Sequence, residues 1–276
     1  MQLLLLPLWN SSWLHLFVHI QSSCQEYNLK KQELDNLSDV ANYTKLSAQL
    51  NKDLIAIKNN IIVGFLGDYS NKIISLESKK IREKLLNHGA TKILSFFDQN
   101  SIDEYMHLNQ RECYLNLLEL LLSNNNMGLI IKPKKVNNLY KRLGVDVENL
   151  LKKALNTNRC LIFEDYSFNQ SNIPVSLAAK SADLSIHSNL YAGSAGIESA
   201  LTGTPTIILD RENDINNQLY ILPKNKVIYN KWSVLNKTLN SFLANNLDPQ
   251  IGNWEKIINK IDPFLDGKGS LRMGNY

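Results

Sequence analysis

Residues 181–211 read SADLSIHSNLYAGSAGIESALTGTPTIILDR, and this stretch decides the fold. An apolar run at 182–187 ends in a polar loop that contains glycine, and a helical pattern begins at Gly196. A second apolar run, at 206–209, follows a glycine and a proline. The order strand, glycine loop, helix, strand directs backbone N–H groups and a helix N-terminus at one point. Such a point is a natural binding site for a phosphate.

The same alternation of strands and helices extends on both sides of this stretch. Strands are predicted at 92–97, 128–131, 159–163, 184–187, 206–209 and 226–229. Helices are predicted at 76–88, 111–122, 136–155, 174–179, 196–201 and 233–243. This alternation predicts an α/β fold, with a Rossmann-like parallel sheet that has helices on both faces. We expect the switch point of the sheet, where ligands bind, between the strands at 92–97 and 184–187.

Three regions are predicted along the chain. Residues 90–245 form a complete Rossmann-like domain, residues 1–89 a short, incomplete N-terminal α/β part, and residues 246–276 a C-terminal tail. The apolar first twenty residues favour a buried strand followed by a buried helix, because Pro7 and Asn10 make them a poor membrane span. A truncated domain start is the alternative. Helical spacing that includes Val40 predicts a helix within 25–60, before a strand at 60–66.

Composition is that of an ordinary globular protein. The 276 residues are 44% hydrophobic and 20% charged, and the net charge is +4 with scattered lysines and arginines. This charge does not imply a nucleic-acid partner, although a mild basic excess suits an anionic ligand or an anionic membrane surface. Cys24, Cys113 and Cys160 have neither disulfide nor zinc spacing, so they are expected to be reduced structural thiols in a cytoplasm.

The residues that could hold a phosphate follow two of the predicted strands. Lys132 and Lys134 come at the carboxyl end of the strand at 128–131, where a lysine charge suits a phosphate or diphosphate; a solvated strand end is the alternative. The glycine loop can present its backbone N–H groups to a diphosphate, although its pattern is not GxGxxG and a plain turn would look the same. Its candidate residues are Gly193, Ser194, Ala195 and Gly196.

Three further side chains are candidates for binding or catalysis. Glu198 lies in the first turn of the predicted helix, where it could accept hydrogen bonds from a ribose diol or complement the helix dipole. His187 and Asp98 each end a strand, and either could act as a base. Alternatively, His187 is a packed histidine and Asp98 caps the turn that follows. No Asp-x-Asp element indicates a metal site, so a metal-independent mechanism is favoured.

Several segments resemble a known family. They are FFDQN at 96–100, GLIIKPK at 128–134, NRCLIF at 158–163, SADLSIH at 181–187, AGSAGIESALTGTPTIILD at 192–210 and IDPFLDGKGSLRMGNY at 261–276. Together they resemble the C-terminal half of bacterial surface-polysaccharide glycosyltransferases of the GT-B type, over about residues 90–276. The tail pattern, which includes Asp262, Asp266 and Arg272, is the most specific part. Leu265 and Gly269 depart from the family, in which arginine and alanine are common at these positions.

The resemblance implies two Rossmann-like domains with the active site in the cleft between them. The loop at 193–196 would then contact the diphosphate of a nucleotide-sugar donor, Glu198 its ribose and Lys132 a phosphate, with no further cofactor. The acceptor would be a glycan or a lipid-linked sugar, in the cytoplasm or at the inner face of the plasma membrane, with peripheral membrane contact or a partner chain. Two alternatives stay open: a catalytically incomplete nucleotide-sugar-binding subunit or remnant, and an enzyme similar to a nucleotide-sugar epimerase.

Overall fold

A computed structural model gives the fold of this protein. It describes residues 18–21, 39–42, 59–67, 69–70, 72–99, 104–136, 139–163, 173–190, 194–213, 215, 217–246 and 248–275. The first three strands of this part form a parallel sheet in the order β1-β2-β3, with bounds β1 (Val18–Gln21), β2 (Asp39–Asn42) and β3 (Asn59–Ile62). These strands lie within the region, residues 1–89, for which the sequence predicts a short N-terminal α/β part. The exact domain boundaries, at 89/90 and 245/246, stay predictions.

A second sheet of six parallel strands is the centre of the fold. Its strands are β4 (Lys92–Phe97), β5 (Met127–Lys132), β6 (Cys160–Ile162), β7 (Leu184–His187), β8 (Thr206–Leu209) and β9 (Ile228–Tyr229). Their order is β6-β5-β4-β7-β8-β9. The order reverses at β4, which pairs with β5 on one side and with β7 on the other. The predicted parallel sheet is therefore confirmed, with its switch point between β4 and β7.

Helices cover both faces of this sheet. They are α1 (Lys72–Leu86), α2 (Glu104–Ser123), α3 (Leu139–Leu143), α4 (Val145–Asn156), α5 (Val175–Lys180), α6 (Ser194–Leu201), α7 (Trp232–Leu243), α8 (Glu255–Ile261) and α9 (Gly269–Asn275). Successive side chains of a strand point to opposite faces, so β4 serves two cores. Leu94 and Phe96 pack in the cluster that contains α2, whereas Ile93 and Phe97 pack in the cluster that contains residues of α1 and α5.

Two predicted helices differ from the structure. The single helix expected at 136–155 is divided into α3 and α4 at Gly144, whose φ of 83° is a left-handed conformation that suits glycine. Arg111 stabilises this break from α2, because its Nη1 donates to the carbonyl of Leu143 at 2.6 Å. The helix expected within 25–60 is wrong at Val40, which lies in β2 and pairs with neighbouring strands. Most of the remaining residues of that prediction lie outside the described part of the chain.

The residues that follow β3 are held by the C-terminal tail. The hydroxyl of Tyr69 donates to the buried carboxylate of Asp262 at 2.8 Å. The Nε of Arg272 donates to the carbonyl of Val63, also at 2.8 Å. Each of these contacts joins residues about two hundred positions apart in the chain, so the tail connects the end of the N-terminal part to the central domain.

The two departures from the family pattern lie in this tail. Arg272 pairs with both carboxylate oxygens of Asp266, at 2.9 Å each. Leu265 has a φ of 50°, in the left-handed region that non-glycine residues rarely adopt. Gly269 begins α9 against the backbone of Phe65, and a β-carbon placed on it would lie 2.7 Å from the Phe65 carbonyl carbon. Glycine at 269 is therefore matched to the close approach of the 63–67 segment.

Candidate functional site

The central strands bring four predicted site residues to one edge of the sheet. Phe97 of β4 lies in register with Lys132 of β5 on one side and with His187 of β7 on the other. Asp98 follows directly after β4, and Lys134 lies two residues beyond β5. This edge is the carboxyl end of the parallel strands at the switch point, where ligands of such sheets bind.

The N-terminus of α6 lies at the same edge. The helix begins at Ser194, so the N–H groups of Ser194, Ala195 and Gly196 belong to its first turn and have no partner within the helix. A β-carbon placed on Gly196 would be 3.6 Å from Cβ of His187, so this turn packs beside the end of β7. Gly193 lies outside the described residues, and its part in the loop stays a prediction.

At this edge, Lys132 and Glu198 lie close enough for each charge to act on the pKa of the other. Burial lowers the pKa of the partly buried Lys132, while the carboxylates of Glu198 and Asp98 act to raise it. Burial likewise raises the pKa of Glu198, whose Oε1 accepts the N–H of Ser176 at 2.9 Å. Glu198 therefore caps the first turn of α5 from the neighbouring helix α6. The prediction that Glu198 lies in the first turn of its own helix is wrong, because α6 begins at Ser194 and Glu198 is its fifth residue, beyond the turn where a carboxylate best complements the helix dipole.

His187 is buried beneath these groups with one nitrogen engaged. Its Nδ1 lies 2.6 Å from the carbonyl oxygen of Asn189 and 3.2 Å from the Asn189 amide nitrogen. A carbonyl oxygen only accepts, so the shorter contact assigns a proton to Nδ1 and leaves a lone pair on Nε2. Burial lowers the pKa of His187 to about 4, and the charge of Lys134 lowers it further. The ring is therefore neutral at physiological pH, as a general base must be.

Asp98 is fully engaged by protein donors. Its Oδ1 accepts the backbone N–H of Lys134. Its Oδ2 accepts Nε2 of Gln110 at 2.6 Å and the hydroxyl of Tyr114 at 3.0 Å. Burial raises its pKa to about 6, against the effect of these donors. The geometry gives Asp98 a role in orienting the backbone after β5, and its predicted role as a base stays untested.

Sequence reasoning missed Gln110, Tyr114, Arg142 and Ser176. Gln110 and Tyr114 are polar residues four positions apart on α2, and this spacing places them on one face of the helix. Both are buried, so a polar pair on an otherwise apolar helical face was the available signal. Arg142 and Ser176 have no comparable signal, because their contacts depend on how α3 and α5 pack.

The segment after β3 also reaches this site. A β-carbon placed on Gly67 would lie 3.6 Å from the carboxyl carbon of Glu198. The tail contacts of Tyr69 and Arg272 hold this segment, so the end of the N-terminal part forms a wall beside Glu198. A ligand at Glu198 would therefore lie against residues from both parts of the chain.

The same described residues bear on metal binding and on membrane insertion. There, no group of three or more His, Cys, Asp or Glu side chains is arranged to hold a metal ion. Among the helices of the described part, none is both long and apolar enough to cross a bilayer. Cys113 and Cys160 are buried free thiols, and burial raises the pKa of Cys160 to about 12. Cys24 lies outside the described residues.

Comparison with known proteins gives a likeness of structure. No family model matches the chain, and no curated protein matches it in sequence. Its fold is similar to that of a candidate UDP-N-acetylglucosamine 2-epimerase from Listeria monocytogenes, with a TM-score of 0.55 and 14% identity over 94% of this chain and 66% of that chain. It is also similar to the wall teichoic acid polymerase TagF, with a TM-score of 0.50 and 15% identity over 89% of this chain and 58% of that chain.

These likenesses define the fold. The chain spans less than two thirds of the length of either neighbour. At such low identity they show the fold alone, which is the GT-B type of Rossmann-like architecture that the sequence predicts. The predicted fold class is therefore confirmed, whereas substrate and activity have to be argued from the site.

Proposed function

We propose that this protein binds a nucleotide sugar at the carboxyl edge of β4, β5 and β7 and takes part in glycosyl transfer to a bacterial surface polysaccharide. One observation carries the proposal: a partly buried lysine, Lys132, lies close enough to the partly buried carboxylate of Glu198 for their charges to interact, beside the first turn of α6. A cation and a helix N-terminus favour a diphosphate, and a carboxylate suits the hydroxyls of a ribose. The GT-B fold is consistent with such a ligand.

Each residue of this site has a proposed role. The ammonium of Lys132 binds a phosphate oxygen, and the N–H groups of Ser194 to Gly196 bind the diphosphate. Oε2 of Glu198 accepts from the ribose, because Oε1 is engaged by the N–H of Ser176. As the bond between sugar and diphosphate breaks, negative charge grows on the diphosphate. The lysine and the helix N-terminus would stabilise that charge in the transition state without a metal.

His187 is the stronger of the two predicted bases. Its neutral ring keeps a lone pair on Nε2, whereas both oxygens of Asp98 already accept protein donors. A base here would remove a proton from the hydroxyl of the acceptor as the new bond to the sugar forms. The acceptor, a glycan or a lipid-linked sugar, would enter from the N-terminal side, past Gly67. We further propose that the protein works in the cytoplasm at the inner face of the plasma membrane, alone or with a partner chain.

Calorimetry with UDP, GDP, CDP and CMP, each with and without Mg²⁺, tests the donor site. We expect selective binding of one nucleotide that does not require the metal. Lys132→Met and Glu198→Gln should each weaken it by about tenfold to a hundredfold, since a hydrogen bond to a charged group contributes about 1.5–3 kcal/mol. Lys226→Met is the matched control, because Lys226 pairs with Asp248 and lies two residues before β9, at the amino end of that strand.

Absence of binding by the folded protein would refute the proposal. Incubation with the matching nucleotide sugar then separates the possible activities. Release of the nucleoside diphosphate together with a glycosylated acceptor indicates a transferase, and a change in the sugar alone indicates an epimerase. Binding without turnover indicates a nucleotide-sugar-binding subunit.

A further inference from the structure

The backbone of residues 132–135 is fixed at three points as it leaves β5. The carbonyl of Lys132 accepts the N–H of Asp98 at 3.4 Å. The N–H of Lys134 donates to the carboxylate of Asp98, and the carbonyl of Lys135 accepts Nη2 of Arg142 at 2.7 Å. Pro133, between the two lysines, has no N–H and restricts the backbone further. This four-residue segment is therefore unusually well defined for the exit of a strand.

The groups that hold this segment also hold one another. Gln110 donates from Nε2 to Asp98 and accepts Nη1 of Arg142 on its Oε1 at 3.2 Å. The hydroxyl of Tyr114 donates a further hydrogen bond to the carboxylate of Asp98. Burial raises the pKa of Tyr114 well above its usual value, so the phenol keeps the proton that it donates. Asp98, Gln110 and Tyr114 are each at most 5% exposed, so the network lies in a medium where hydrogen bonds are strong.

Packing fixes the tyrosine of this network. The rings of Tyr114 and Phe96 meet edge to face with centroids 5.4 Å apart, and Phe96 lies in β4 two residues before Asp98. Strand β4 and helix α2 therefore hold the carboxylate and its donors in one arrangement. Because the same carboxylate accepts the N–H of Lys134, that arrangement is transmitted to the lysine segment.

We propose that Gln110, Tyr114 and Arg142 are positioning residues of the donor site, which act through Asp98 and the 132–135 backbone to place two lysines. Lys132 lies close enough to Glu198 for their charges to interact, and Lys134 lies close enough to His187 for its charge to act on the ring. The network thus places Lys132 to bind the diphosphate and Lys134 beside the predicted base, His187. This inference rests on the proposed function, because it assigns the network a role in binding the same nucleotide.

Two buried residues that do not contact the lysine segment provide a matched comparison. Arg159 is also buried, and its Nη1 donates to the carbonyls of Asn124 and Met127 at 2.7 Å each. These contacts hold the entrance of β5, whereas Arg142 holds its exit. Tyr229, in the outermost strand β9 and three strands away from β4, likewise matches Tyr114, because its hydroxyl shares a hydrogen bond of 3.1 Å with Thr238. Arg142 and Tyr114 belong to the network that holds the lysine segment, whereas Arg159 and Tyr229 do not.

The test is nucleotide affinity in Arg142→Gln and Tyr114→Phe, measured beside Arg159→Gln and Tyr229→Phe. We expect the first two variants to bind about threefold to tenfold more weakly than the wild type, since each removes hydrogen bonds that position the lysines. The two controls should bind as the wild type does. In a Lys132→Met background, Arg142→Gln should have a much smaller effect, because part of its influence passes through the lysine already removed.

Hydrogen exchange of the Lys134 amide gives a readout that needs no ligand. It should be faster in Arg142→Gln and Tyr114→Phe than in the wild type, and unchanged in Arg159→Gln. Wild-type affinity in both network variants overturns the inference while the proposed function stands. Equal weakening in the controls overturns it too, because the effect would then be general destabilisation. A wild-type protein that binds no nucleotide refutes the proposed function itself, and this inference with it.

Discussion

Replacement of Gly269 by alanine should destabilise this protein, although alanine is the residue that the resembling family favours there. Gly269 begins α9, where the tail crosses the segment that follows β3. A β-carbon added to it would lie 2.7 Å from the carbonyl carbon of Phe65 and 3.0 Å from the carbonyl oxygen of Gly64. Both are backbone atoms, so they cannot turn away as the end of a flexible side chain could.

The cost follows from the movement that the methyl group requires. An ordinary carbon–carbon contact is about 3.5–4.0 Å, so the backbone at Phe65 has to retreat by about 1 Å. Overpacking of this kind costs about 1–3 kcal/mol. The retreat also strains the hydrogen bonds from Ser270 to Leu66 and from Arg272 to Val63. Alanine is the better helix former by about 1 kcal/mol, a gain that is reduced at the first residue of a helix. We therefore expect a net loss of about 1–2 kcal/mol.

Urea unfolding of Gly269→Ala and of Gly274→Ala measures this difference. Gly274 lies in the same helix, and a β-carbon on it would meet nothing within 4 Å. Gly274→Ala should therefore leave the free energy of unfolding unchanged or raise it by up to about 1 kcal/mol. In thermal unfolding, each kcal/mol corresponds to about 2–4 °C for a domain of this size. If Gly269→Ala is as stable as Gly274→Ala, the argued approach of the two segments is wrong.

Two further predictions concern buried polar groups. Tyr69→Phe removes the donor to the carboxylate of Asp262, so the free energy of unfolding, measured with urea, should fall by about 1.5–3 kcal/mol. A loss below about 0.5 kcal/mol, on the order of a surface change, would contradict a buried hydrogen bond. Burial lowers the pKa of His187 from 6.5 to about 4, so its stabilising contribution is present above pH 6.5 and is lost as the pH falls through 4. Urea unfolding at several pH values should show this loss in the free energy of unfolding, up to about 3 kcal/mol, in the wild type and not in His187→Asn. Parallel pH profiles of the two proteins would count against the prediction.

The central sheet was predictable because its signals are local. Strands β4, β7 and β8 begin and end at the predicted residues. Strands of a parallel sheet are buried on both faces, so they read as short apolar runs, and glycine and proline mark the loops between them. The switch point followed from the same pattern, because right-handed crossovers leave few possible orders for alternating strands and helices.

Elsewhere local signals were insufficient. Helical periodicity continues across Gly144, and nothing nearby shows that Arg111 of α2 holds the chain in the turn between α3 and α4. Val40 fits a helical period, yet it pairs in β2 between two other strands. In both places a partner distant in sequence overrides the local preference, as tertiary packing commonly does.

The candidate site was likewise predictable only in part. Lys132, His187 and Glu198 were predicted as site residues, because each follows or ends an apolar run or begins a helix at one edge of the sheet. The partners of the site residues were not predicted, because they are distant in sequence. The hydrogen bond between Asp98 and the N–H of Lys134, for example, joins residues 36 positions apart. Asp98 was predicted as a base from its place after β4, and only its neighbours show that its carboxylate orients the backbone of another strand.

The amino-acid sequence by itself determined the type and order of the central elements, and it predicted the edge at which a ligand would bind. These depend on periodicity and on glycine and proline, which act over a few residues. Tertiary structure alone decided which groups share a hydrogen bond and where a methyl group fits. Tyr69 and Asp262 meet across 193 positions, and Gly269 is needed only because Phe65 passes beside it. Contacts of this kind depend on where distant segments come together in three dimensions, and no local pattern records that.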